Sequence, residues 1–180
     1  MLLPGIAPNI MMYGPVTQFG PNGLTPAQSS FEDGGGWFSG TSNCNSSNVT
    51  TQAFDGIHSI QMSSIAAGNM AAASIFVANL LPNQGYSVSC WFKAGTVGRQ
   101  CFLWIQYRDG QNNTIGSFNA APTISINDVT TGWTFFNMNI ATPLLTNAAQ
   151  MFAQVNGPAA AGENHYIDFV SVNQGAFYPT

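Results

Sequence analysis

A chain of 180 residues suits one domain of ordinary size, or a compact domain with an arm. Lys+Arg number 3 and Asp+Glu 7, so 6% of residues are charged, against roughly 25% in an average soluble domain. With 45% hydrophobic and 12% aromatic residues, the chain holds enough apolar surface to offset its conformational entropy, which excludes disorder. The bases are Lys93, Arg99 and Arg108, too few and too late in the chain to neutralise a phosphate backbone or an anionic bilayer, so neither nucleic acid nor membrane is an expected partner. Met1 to Phe31 carries no Lys or Arg and is broken by Pro4, Pro8, Pro15, Pro21 and Pro26, so no secretory signal is expected. Cys44, Cys90 and Cys101 are an odd number and read as free, mostly buried thiols. A Cys90–Cys101 bridge would need their strands to meet at a very short turn.

Residues 1–28 form a Pro/Gly-punctuated arm with apolar beads at Leu2, Leu3, Ile6, Ile10, Met11, Met12, Tyr13, Val16 and Phe19. Proline this dense forbids helix and demotes strand, so the arm is extended and docks on this domain or on a neighbour. From residue 29 to 180 short segments alternate β-branched and aromatic residues between turn residues. Strands are predicted over 48–53, 59–63, 72–78, 85–93, 101–108, 114–119, 131–140, 150–155 and 166–173. Turns fall at Pro82-Asn83-Gln84-Gly85, Gly95-Thr96-Val97-Gly98, Asp109-Gly110 and Asn156-Gly157-Pro158. Short strands without helices predict an all-β, two-sheet antiparallel jelly-roll sandwich behind the arm. The Ala-rich 66–73 reads as strand because Gly68 and Asn69 interrupt any helix and Ile75-Phe76-Val77 follow.

Period two sorts each strand into faces. Tyr86, Val88, Cys90 and Phe92 point in, as do Cys101, Leu103, Ile105 and Tyr107, then Met151, Ala153 and Val155, and Phe136, Met138 and Ile140. Pointing outward are Trp91, Phe102, Trp104, Gln106, Arg108, Trp133, Phe135, Phe152 and Gln154, expected to lie on one aromatic face beside amides.

Several motifs in order resemble the family 4/9/22-like carbohydrate-binding modules. They are Ser30-Phe31-Glu32-Asp33-Gly34-Gly35-Gly36-Trp37, Phe54-Asp55-Gly56, Leu80-Leu81-Pro82-Asn83-Gln84-Gly85-Tyr86, Arg108-Asp109-Gly110, Gly132-Trp133-Thr134 and Tyr166-Ile167-Asp168-Phe169-Val170. The resemblance runs from Phe31 to Val172 and implies a jelly roll whose sheet face stacks sugars on aromatic rings. It also implies a structural Ca²⁺ held by Glu32 and Asp168, a hard cation that takes oxygen ligands. Phe169 stands where the family has a second Asp.

Three occupants suit the aromatic face: a glycan, another protein subunit, or the chain's own arm or loops. No catalytic motif accompanies it. His58 and His165 are the only histidines; Glu163 and His165 can share a strand face, whereas His165 and Asp168 cannot. The expectation is a non-enzymatic virion protein, a bacteriophage capsid decoration, head-fibre or tail component assembled in the host cytoplasm. The arm would anchor it to other virion subunits or copies of itself, with cell-surface glycan as a further contact. A free-standing carbohydrate-binding protein is the alternative, and a small glycan hydrolase or lyase the third reading.

Overall fold

The computed structural model describes residue 24 and residues 29–32, 38–78, 80–119 and 124–175. Most of the arm, and the 33–37 stretch of the opening motif, lie outside the described residues. Eleven strands form: β1 (Phe38–Ser42), β2 (Cys44–Val49), β3 (Ser59–Ser64), β4 (Met70–Ala78), β5 (Gly85–Ala94), β6 (Gln100–Arg108), β7 (Thr114–Asn119), β8 (Ile126–Asn127), β9 (Thr134–Ala141), β10 (Ala148–Asn156) and β11 (Asn164–Gln174). One sheet runs β1-β4-β10-β6-β7, with β8 continuing along β6, and the other runs β2-β3-β11-β5-β9; all pairings are antiparallel. The fold is the two-sheet sandwich expected from the sequence, and the Ala-rich stretch is strand.

The differences lie at the edges. The strand expected over 48–53 sits earlier, at Cys44–Val49, and β1 and β8 were not expected. These are short and largely polar edge or end segments. Their ladders hold them, so no apolar alternation marks them in the sequence. Asn43, at φ 48°, carries the chain from β1 in one sheet to β2 in the other. Its side chain fixes that corner: Nδ2 donates to the carbonyls of Ala66 and Gly68 at 2.9 and 3.2 Å, and Oδ1 accepts from Ala66 N at 2.7 Å. Beside it Gly40 is required, because a Cβ there would stand 1.8 Å from the carbonyl oxygen of Cys44. The 109–110 turn is a five-residue loop in which Asp109 Oδ1 accepts from the amides of Gln111 and Asn113, and Asn112, not Gly110, takes the positive φ.

The inward sets predicted for β5, β6, β9 and β10 are buried without exception, and they fuse with Ile60, Met62, Met70, Ile167 and Val172 into one core. Phe31, at φ 61° and 0% exposed, also belongs to it; Asn48 Nδ2 donates to its carbonyl at 3.0 Å. Cys44, Cys90 and Cys101 are free and buried, Cys90 and Cys101 on opposite sheets. Burial pushes the Cys44 thiol up to about 11 and those of Cys90 and Cys101 well above their ordinary value. All three should therefore resist a thiol reagent such as DTNB at pH 8 in the native protein and react on denaturation; reaction of any one under native conditions would contradict this packing.

Candidate glycan-binding face

The predicted aromatic residues divide between two opposite surfaces. Trp91 and Phe135 lie on β5 and β9 of the five-stranded sheet; Phe102, Trp104, Gln106, Arg108, Phe152 and Gln154 lie on β6 and β10 of the other. Alternation separates in from out on each strand but carries no information on which sheet the strand joins, so the single aromatic face expected from the sequence is two faces in the structure. Phe102 is a second correction. It is 1% exposed, with Asn119 and Ile126, the ends of the β7–β8 connection, opposite its neighbours Trp104 and Cys101; Ile124 of that connection packs on the core cluster.

On the outer face of the sheet containing β6 and β10, Trp104 and Phe152 are directly opposed in register, and their rings stack at 3.6 Å and 7°. Phe152 faces Ala73 of β4 and Gln154 faces Ala71. The small Ala71 helps to form a depression beside the stack, a groove of about 320 Å³ lined by Thr41, Ser42, Asn69, Met70, Ala71, Trp104, Phe152 and Gln154. The groove crosses the strands from β1 to β6. Amides flank the stack on either side. Gln154 Nε2 donates to Asn156 Oδ1 at 2.8 Å, Asn156 Nδ2 to Gln100 Oε1 at 2.9 Å, and Gln100 Nε2 to Ser125 Oγ at 2.9 Å. On the far side Arg108 Nη2 donates to Gln106 Oε1 and to Gln150 Oε1, the latter at 3.3 Å. Hydroxyls, amides and an aromatic flank around a shallow groove can bond sugar hydroxyls and pack on sugar C–H faces. The lining contains no Asp, Glu, His, Cys or Lys, and so no side-chain base of its own to activate the Thr41 and Ser42 hydroxyls.

The opposite surface is built differently. Phe54 lies on Trp91 at 4.0 Å and 16°, Trp91 meets Phe135 at 5.0 Å, and Trp133 and Phe169 close around Phe54 at 6.2 and 6.1 Å. Phe54 and Phe169 were not anticipated. Phe54 is loop-borne, and Phe169 is turned outward at φ 48° by a bulge that puts residues 169 and 170 together opposite Cys90.

Glu32 and Asp168 both grip the loop that carries Phe54. Asp168 Oδ2 accepts from the amides of Phe54 and Asp55 at 2.7 and 3.1 Å, and Oδ1 from Phe169 N at 2.6 Å. Glu32 Oε1 accepts from Ile57 N and His58 N at 2.9 and 2.8 Å, and Oε2 lies 3.3 Å from His58 Nδ1. Glycine is favoured at 56, where φ is 65° and a Cβ would crowd the Glu32 carboxylate at 2.4 Å from Oε1. Burial pushes Asp168 up to about 6, against its three backbone bonds; partial desolvation of Glu32 is outweighed by its backbone bonds, which hold it below the ordinary value. Five backbone N–H donors around two carboxylates are a clamp for a loop, and that donor set does not suit a hard cation, which needs oxygens facing it. The melting temperature is accordingly expected to be the same with and without a calcium chelator; a fall on chelation would restore the metal site.

The described residues bring one further set of chemically capable groups together. Cys101, Asp128 and His165 offer ligand atoms within 4.8 Å of one another, fully inside the sandwich. His165 Nδ1 lies 2.6 Å from Asp128 Oδ2 and Nε2 3.2 Å from Glu163 Oε1, while Arg99 pairs with Glu163 at 2.6 and 3.0 Å and its amide donates to Asp128 Oδ1 at 2.6 Å. The anticipated Glu163–His165 neighbourhood exists, but as a buried ion cluster without access for a substrate. His58 and His165 are thus both used to hold the fold.

These features define a class: a two-sheet antiparallel β-sandwich with a groove across the outer face of one sheet. The sequence matches no protein-family model and no curated protein. Solved structures share the fold. The CBM22-1 xylan-binding domain of Paenibacillus barcinonensis Xyn10C superposes with a TM-score of 0.67 at 14% identity, over 89% of this chain and 99% of that one. The C-terminal family 22 carbohydrate-binding module of Clostridium thermocellum Xyn10B superposes at 0.60 and 16% identity, over 84% and 94%. The enzymatically active domain of bacteriophage CBA120 tailspike protein 4 superposes at 0.60 and 15% identity, over 86% of this chain and 21% of that one.

Proposed function

We propose that this is a non-enzymatic glycan-binding protein whose site is the groove beside the Trp104–Phe152 stack. The observation that carries the reading is the lining itself: an aromatic flank, small residues and prealigned amides, with no Asp, Glu, His, Cys or Lys to act as acid or base. Two of the named fold neighbours are carbohydrate-binding modules, which supports the same reading. Titration calorimetry against a panel of soluble neutral polysaccharides, xylan included, tests it: saturable binding with no released reducing ends is expected. Reducing-end release would overturn the non-enzymatic part, and no binding across the panel would overturn the glycan part.

The setting we propose is a virion, with this chain as a capsid-decoration, head-fibre or tail component among other virion subunits or copies of itself. A charge-poor surface suits repeated packing, and the tailspike likeness supports a particle-borne sandwich. Peptide mapping of purified particles decides between this setting and a free-standing carbohydrate-binding protein: stoichiometric presence is expected, and its absence would leave the free-standing reading.

A further inference from the structure

At one end of the sandwich the two sheets present metal-ligating side chains to the same point. Cys101 is the first buried residue of β6 and His165 the first of β11, strands of opposite sheets. Asp128 joins them from a segment tied to both sheets: its amide donates to the Arg99 carbonyl at 3.0 Å, and the next carbonyl, of Val129, accepts from Ala94 N at 3.1 Å. One ligand atom from each of the three side chains lies within 4.8 Å of the others, and none of the three residues is more than 1% exposed. We propose that Cys101, Asp128 and His165 bind a zinc ion that clamps the two sheets together.

The donor set selects the metal. Thiolate, imidazole and carboxylate are all zinc ligands, whereas calcium and magnesium take oxygens. Zinc bonds of about 2.0–2.3 Å set tetrahedral ligand atoms roughly 3.3–3.7 Å apart. Side-chain rotations that part Nδ1 from Oδ2, now at 2.6 Å, and draw the wider separations in would seat an ion among them. The surroundings of His165 also fit a ligand. Its Nδ1 faces Asp128, while Nε2 lies 3.2 Å from Glu163 Oε1, and a zinc-bound imidazole gives its second ring N–H to a carboxylate. Arg99 balances that outer carboxylate at 2.6 and 3.0 Å. Inside the pocket, burial first and the Asp128 charge second push the Cys101 thiol well up, so thiolate and carboxylate share this place only with a cation between them. An entering Zn²⁺ releases two protons, one from the thiol and one from between Nδ1 and Oδ2, and leaves the net charge of the pocket unchanged.

The test refolds the full chain from urea with Co²⁺ or Zn²⁺, because an enclosed site fills as the fold closes. With Co²⁺, a thiolate-to-cobalt charge-transfer band in the near ultraviolet and the strong visible bands of a tetrahedral ion are expected, at one cobalt per chain by elemental analysis. No such band in the refolded wild type would overturn the proposal, whether or not any variant folds. The Cys44→Ala, Cys90→Ala variant, whose only thiol is Cys101, should keep the band, and Cys101→Ser should lose it; the band surviving in Cys101→Ser would also overturn the site. Zn²⁺ should raise the melting temperature of wild type and Ca²⁺ leave it unmoved, which keeps this site apart from Glu32 and Asp168. A melting temperature indifferent to Zn²⁺ would count against the clamp.

Discussion

Glutamine in place of Glu163 is expected to lower the unfolding free energy by about 1.5–3 kcal/mol in urea melts at pH 7, the range for hydrogen bonds to charged groups, because its Arg99 partner keeps access to solvent. Glu163 is 9% exposed and joins Arg99 to His165, whose other ring nitrogen faces Asp128. Removing its charge leaves Arg99 and His165 facing a neutral amide and Asp128 as the sole carboxylate of the cluster. Arg99 beside it holds Glu163 down at about 2, from an ordinary 4.5. A depressed carboxyl contributes stability that is complete above its unfolded value and lost as pH falls through its folded one. Wild-type melting temperature should therefore decline between about pH 4.5 and 2, with a shallower decline in Glu163→Gln. Asp168 acts with the opposite sign. Burial raises it from 3.8 to about 6, so its contribution is complete below 3.8 and lost as pH rises through about 6. Together the two place the stability maximum on the acidic side of neutrality. A Glu163→Gln variant with wild-type stability and an unchanged acid limb would show the cluster to be inert.

Truncating Phe152 to Ala is expected to cut glycan affinity about 30-fold, equivalent to about 2 kcal/mol at the low end for an interfacial aromatic anchor. Phe152 forms one wall of the groove and holds Trp104 in place by stacking at 3.6 Å, so its loss removes a contact surface and frees its neighbour together. The paired control is Trp91→Ala. It sits on the other sheet, packed on Phe54 and Phe135, and should leave calorimetric glycan affinity within twofold of wild type. If Trp91→Ala abolished binding and Phe152→Ala did not, the binding face would be the five-stranded sheet and the groove assignment would fall.

Much of the architecture could be read before any coordinates. The inward residues of β5, β6, β9 and β10 follow strict alternation, and each was placed correctly because a half-buried strand must segregate its two faces. The edge strands β1 and β2 could not be read in this way, since Phe38–Ser42 and Cys44–Val49 are held by a corner at Asn43 and by a neighbour's ladder. The site was half legible. Trp104, Phe152, Gln106, Arg108 and Gln154 were identified as outward and do sit on one sheet. Thr41, Ser42, Asn69 and Ala71 complete the groove from β1, β4 and the turn before β4, more than thirty positions from the ring stack, and nothing in their own sequence marks them as lining residues.

Alone, the amino-acid sequence determined a charge-poor, two-sheet sandwich and which side of most strands faces the core. Those properties follow from composition and from a two-residue period, both local. Only the tertiary structure decided which strands share a sheet. That decision placed Trp91 and Phe135 on one surface and Trp104 and Phe152 on the other, buried Phe102, and turned Glu32 and Asp168 onto backbone amides. Strand order is a matter of long-range pairing between ladders whose alternation is the same in either sheet, so the local pattern could not choose between them.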